Sequence, residues 1–138
     1  MFVLGFPLLL IPFVIYNIVA FIFRLPNDNW TAPVTTVRMI SGQDWVVTWE
    51  DALIALSILL LAVEIIKSTR VGMRAIVDHM LAMALFIAML VEFLLVDRAA
   101  TSTFFLMMII TLVDVLVGFT VSVRSSQRQV EIESERAA

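Results

Sequence analysis

The chain has no cysteine and one histidine, His79. The first absence excludes a disulfide framework, a thiolate nucleophile, an iron–sulfur cluster and a cysteine zinc site. The second excludes a multi-histidine metal centre, so no metal is expected. Charged residues make up only 15% of the 138 residues, against roughly 25% in ordinary soluble domains. The formal net charge is −3, and no basic block offers a docking patch for nucleic acid. Glycine-rich phosphate loops, a His-Glu-x-x-His zinc motif and a nucleophile elbow are also missing from the sequence. No cofactor and no enzymatic activity are therefore expected.

Long apolar runs dominate instead. Hydrophobic residues make up 62% of the chain, and the mean hydropathy is +1.03. Four runs, near Phe2–Phe23, Trp49–Ile66, Ala75–Val96 and Phe104–Val123, each approach the ~20 residues a helix needs to cross a hydrocarbon core. The expected fold is an all-α integral membrane protein. It is a four-helix transmembrane bundle with a short β-hairpin in the first extracytoplasmic loop, forming a single domain over residues 1–138. The helices are expected at about 2–23, 49–69, 73–96 and 102–124. The first run lacks a preceding basic residue and a small-residue cleavage site near Arg24, so it is expected to remain as a helix rather than be removed as a secretory signal.

Charge sets the expected orientation. Lys67, Arg70 and Arg74 fall in the second connection and Arg124, Arg128 and Arg136 in the tail, whereas Arg24, Arg38 and Arg98 lie in the first and third connections. The positive-inside rule then places both termini in the cytoplasm, with residues 125–138 as a cytoplasmic tail. No segment addresses the chain to another compartment, and a bacterial inner membrane is the expected location.

The first connection, residues 24–48, is more than a tether. Val34–Ile40 and Trp45–Trp49 are rich in β-branched and aromatic residues around a Ser-Gly-Gln-Asp turn, which predicts a hairpin over about 34–49. Alternation sets Trp45, Val47 and Trp49 on one face. Trp30, Trp45 and Trp49 together mark a headgroup-level interface, read first as a lid on the bundle and second as a partner-binding surface. Thr48 and Asp51 have capping-box spacing at the start of the second helix.

Polar residues inside the runs are the candidate site, because an unpaired carboxylate in hydrocarbon costs several kcal/mol. In the first helix, Pro12 predicts a kink, while Tyr16 and Asn17 are the polar side chains that need a neighbour. In the second, Glu50, Ser57 and Glu64 share a face, with Glu64 expected to snorkel beside Lys67 at i+3. In the third, Asp78, Ala82, Leu85, Met89 and Glu92 form one stripe, and Ala84 and Ala88 form a small-residue pair that permits close helix approach. His79 suits an interhelical hydrogen bond or a proton relay. In the fourth, Thr103, Met107, Thr111, Asp114, Gly118, Ser122 and Ser125 make a polar or small face. Asp114 lies about 18 Å along that helix, near mid-membrane. As a protonated carboxyl it donates a hydrogen bond across the bundle; as a carboxylate it requires a cation, water or donors.

Depth arithmetic predicts two polar layers, Asp114 with His79 and Glu64 on the cytoplasmic side, and Asn17 with Glu92 on the outer side. Two functions follow. The first is a non-enzymatic membrane protein acting through helix packing in the lipid bilayer, as an accessory subunit, assembly factor or homo-oligomer, with a second copy or another membrane protein as partner. The rival is a small transporter or channel for a proton or small cation, using Asp114, His79, Glu64 and Glu92.

Overall fold

The computed structural model describes residues 5–69 and 72–137, with the side chains of Asn27, Asp28, Ser122 and Ser125 outside that description. Four α-helices follow one another: α1 (Leu10–Asn17), α2 (Trp49–Ser68), α3 (Met73–Leu95) and α4 (Ser102–Ala137). Between α1 and α2 lies a two-stranded sheet, β1 (Pro33–Arg38) and β2 (Asp44–Thr48). Two of the helices, α3 and α4, are long and apolar enough to cross a membrane by length and composition.

The first helix differs most from expectation. Residues 2–4 lie outside the described chain, and α1 begins only at Leu10. Before it the backbone turns, with Leu10 N–H donating to the Pro7 carbonyl at 3.0 Å and Ile11 N–H to that of Leu8 at 3.0 Å. Pro12 therefore falls in the first helical turn, where a missing N–H leaves no intrahelical acceptor unsatisfied. Pro12 is thus not in the helix interior, the placement on which the expected kink rests. After eight α-helical residues the chain loosens into a π-helical turn over Ile18–Ile22, and leaves the helix at Arg24 in a left-handed conformation (φ 50).

The hairpin is present. Val37 pairs with Trp45, Thr36 with Val46 and Thr35 with Val47, and a bulge separates Thr35 from Pro33. At its tip Gly42 N–H donates to the Met39 carbonyl at 2.9 Å, and Met39 N–H to that of Gln43 at 2.8 Å. Gly42 takes φ +87, a conformation that a Cβ would strain. Trp49 is a correction: it opens α2 rather than extending β2. Thr48 caps that helix reciprocally, its Oγ1 accepting from Asp51 N–H at 3.2 Å while its own N–H donates to Asp51 Oδ2 at 2.9 Å. Replacing Thr48 with alanine should cost roughly 0.5–2 kcal/mol, read as a lowered Tm in helical circular dichroism.

The fourth helix is the centre of the bundle, packing on α2 along one side and α3 along the other. Its apolar part is followed by Arg124–Ala137, which stays helical, in keeping with a run of Gln, Arg and Glu that contains no Gly or Pro. The polar or small stripe predicted for it is buried from Thr103 through Met107, Thr111 and Asp114 to Gly118. On α3 the predicted stripe is also inward, with Ala82, Leu85 and Met89 buried. Ala84 and Ala88 face outward, away from the chain's own helices.

Aromatic packing joins the first helix to this centre. Tyr16 is fully buried, stacks on Trp30 at 4.8 Å between ring centroids and meets Phe104 edge-on at 5.0 Å. Its hydroxyl lies 2.7 Å from the Arg98 carbonyl and 2.7 Å from Thr101 Oγ1. A phenol has one proton to give. With that proton on the Arg98 carbonyl, the Thr101 hydroxyl donates to Tyr16 and accepts from Phe104 N–H at 3.2 Å, capping α4. Arg98 in turn donates to the Ala20 carbonyl at 2.6 Å, placing a cation where the first helix leaves carbonyls without intrahelical donors.

Candidate functional site

The inner polar group grows from the last turns of α2. Glu64 and Lys67 sit one helical turn apart, with Lys67 Nζ 3.4 Å from each carboxylate oxygen. Both side chains are only 7% exposed. The pairing at i,i+3 is as expected, but the surface snorkel is not: the pair is inside the protein. Its remaining bonds reach the segment that precedes α1. Lys67 Nζ donates to the Phe6 carbonyl at 3.0 Å, and the Leu8 N–H donates to Glu64 Oε1. Two backbone groups left over by the turn before α1 are thus satisfied by an ion pair on α2.

Asp114 faces this pair from α4. It is 7% exposed and lines the same pocket as Glu64 and Lys67. From α3 comes His79, half-buried, with its ring laid against the backbone of α4 at Gly118. A Cβ at Gly118 would come within 2.6 Å of His79 Nδ1, so glycine is what admits the imidazole. That Nδ1 is buried and has no hydrogen-bond partner among the described residues. Glu64, Lys67, Asp78, His79, Asp114 and Gly118 line one small pocket of about 30 Å³.

The outer polar group is separate. Asn17 Nδ2 donates to the Phe13 carbonyl at 3.0 Å and lies 3.4 Å from Glu92 Oε2. The other Glu92 oxygen is buried without a hydrogen-bond partner among the described residues. Asn17 and Glu92 line an apolar groove of about 380 Å³ together with Phe13, Val14, Ile18, Phe21 and Ile22. Asp114, His79 and Glu64 therefore meet around one pocket, and Asn17 meets Glu92 elsewhere. The five candidates do not form one site.

The three tryptophans part company. Trp30 is buried against Tyr16, whereas Trp45 and Trp49 are each 51% exposed. Every residue of β1 is exposed, and in β2 only Val47 and Thr48 are half-buried, so the hairpin meets the helices at its base alone. Lys67 and Tyr16 matter more than sequence reasoning allowed. Both contact carbonyls far away in the chain; Tyr16 was marked by its place in an apolar run, and Lys67 only as the i+3 neighbour of Glu64.

Chemically, the inner group offers charge compensation and a water-sized space. Among the described residues no three His, Asp or Glu side chains are arranged to hold a metal ion. No family model, curated protein or solved structure matches this chain.

Proposed function

We propose that this is a small, non-enzymatic integral membrane protein, a single four-helix transmembrane domain that acts by packing against another polypeptide. In that role it is an accessory subunit, an assembly factor or a homo-oligomer. The observation that carries the reading is the apolar exterior of the helices, combined with polar side chains turned inward beside the apolar core. Ser57, Glu64, Lys67, Thr103, Thr111 and Asp114 are buried, while Leu59, Ile87, Leu94, Leu116 and Phe119 are each more than half exposed. In water such a surface would be a large contiguous apolar patch of the kind soluble monomers avoid; in a bilayer it is the lipid-facing side.

Two further features support packing as the activity. Ala84 and Ala88 turn a small-residue stripe outward on α3, which suits close approach of a helix from outside the chain. The pocket at the inner polar group, about 30 Å³, is far smaller than the roughly 300–1,000 Å³ of small-molecule sites. Its ion pair already has bonding partners within the protein. Transport of a proton or small cation is the second reading, supported by the gathering of Glu64, Asp78, His79 and Asp114 around that pocket.

The membrane is a bacterial inner membrane in this reading, with both termini cytoplasmic and the hairpin outside. The cysteine-free sequence makes the orientation directly testable. Ser41→Cys at the hairpin tip should react with an impermeant maleimide added to intact cells, and Ser134→Cys in the tail only after permeabilisation. The reverse pattern contradicts the orientation. Function is tested by purification into lipid nanodiscs under native conditions. A stable assembly is expected, and a monodisperse monomer with measurable proton flux in liposomes overturns the packing role.

A further inference from the structure

Cross-strand register sorts the hairpin into two faces. Directly opposite residues of an antiparallel pair point the same way, and neighbours along a strand point opposite ways. Val37 opposite Trp45 and Thr35 opposite Val47 share one face, while Thr36 opposite Val46 and Arg38 opposite Asp44 share the other. Met39, whose N–H donates to the Gln43 carbonyl, continues the first face. That face is apolar toward the tip, where Val37, Met39 and Trp45 are 41%, 46% and 51% exposed. The other face sets a threonine and the opposed Arg38 and Asp44 around Val46. Two strands alone are marginal in water and need an apolar surface against them. The helices supply one only at the base. There Val47, on the Trp45 face, is half-buried, while its neighbour Val46 on the other face is exposed. The apolar face is thus the one turned toward the body of the protein. It also runs on past the contact, since Gly42 lies about 20 Å from Thr48 along an extended strand, against roughly 10–12 Å for the width of a helix.

We propose that the hairpin lies on the outer leaflet, with Val37, Met39 and Trp45 seated in the headgroup region and Thr36, Arg38 and Asp44 facing water. The partner of this face is a lipid surface. Continuity with the lipid-facing side of the helices favours it. β2 leads directly into α2 at Trp49, so the hairpin is rooted at the end of a helix whose exposed side, at Ile58 and Leu59, meets lipid. Trp49 stands half-exposed at that junction, and indole rings settle at the membrane–water interface. Trp45 is the anchor, because its ring removes a large apolar area from water while its N–H reaches a headgroup or water acceptor. The inference rests on the membrane-spanning part of the reading above and adds a docking surface to it, distinct from the helix faces that pack against another polypeptide.

The test uses the full chain, which has no cysteine of its own, in liposomes of phosphatidylethanolamine and phosphatidylglycerol. A fluorophore is attached to one cysteine at a time, in Thr36→Cys, Val37→Cys, Arg38→Cys and Met39→Cys. A nitroxide carried on the lipid headgroup should quench the labels at positions 37 and 39 several-fold more than those at 36 and 38. Iodide present on both sides of the bilayer should quench them in the reverse order. Equal quenching of all four by iodide, with little by the nitroxide lipid, means that the hairpin stands in water, and the proposal fails. It fails also if positions 37 and 39 are shielded from both quenchers, since a second copy or another protein then covers the face. A label in Ile87→Cys, probed with a nitroxide deep in the acyl chain, separates this outcome from the membrane reading itself. Quenching there without the alternation along the hairpin overturns the docking alone, and no quenching there overturns both.

Discussion

Replacing Lys67 with methionine is expected to destabilise the protein by about 3–5 kcal/mol, the usual cost of leaving one member of a buried ion pair uncompensated. The magnitude follows from the setting. At 7% exposure for each side chain, water cannot take over the solvation of Glu64. The loss also strips the Phe6 carbonyl of its donor, and the one remaining bond described for the carboxylate comes from the Leu8 amide. A second substitution separates pair from packing. Glu64→Leu added to Lys67→Met removes both charges and should recover part of the lost stability, because the uncompensated buried charge is gone while the Phe6 carbonyl and the Leu8 N–H remain without those partners. Equilibrium unfolding in mixed micelles measures both. A loss below about 1 kcal/mol in the single variant would match an exposed, solvated pair and would contradict the inward placement.

Tyr16→Ala should be comparably severe, at about 3–5 kcal/mol, the range for removing a large aromatic from a core. The ring holds Trp30 on one side and Phe104 on the other, so its removal unseats the connection after α1 as well as α1 itself. Tyr16→Phe isolates the hydroxyl. It keeps the ring contacts but leaves the Arg98 carbonyl and the Thr101 hydroxyl each short of a partner, and should cost about 1–3 kcal/mol. A phenylalanine variant as unstable as the alanine one would mean that the hydrogen bonds, rather than the stacking, hold this end of the molecule together.

These two sites also mark the boundary of what could be read from the chain. The start of α2 was legible because Thr48 and Asp51 form a capping box whose spacing is local. The inward faces of α3 and α4 were legible because helical periodicity places Ala82, Leu85 and Met89, or Thr111 and Asp114, on one side wherever the helix goes. The hairpin was legible from two β-branched runs around Gly42. The start of α1 was not. Leucine, isoleucine and phenylalanine populate a turn and a helix alike, and the bonds to the Pro7 and Leu8 carbonyls that mark the turn before the helix are made by backbone atoms. Trp30 looked like Trp45 and Trp49 because all three lie in the first connection or at its junction with the second helix, and its burial depends on Tyr16 arriving from another part of the chain. Within the candidate site, the convergence of Asp114, His79 and Glu64 followed from depth. The clip from Glu64 and Lys67 to the segment before α1 did not, since it joins positions 56 or more residues apart through backbone atoms that carry no sequence signal.

The central claim is that the apolar exterior faces lipid while the polar groups are turned inward. Single spin labels introduced at Ile87→Cys and Leu116→Cys, on the outward faces of α3 and α4, test it most directly in reconstituted bilayers. Relaxation by dissolved oxygen should be strong at both sites and relaxation by a water-soluble nickel chelate weak, as for positions immersed in hydrocarbon. Strong relaxation by the chelate at both sites, in protein that retains its helical content, would place these faces in water and contradict the account.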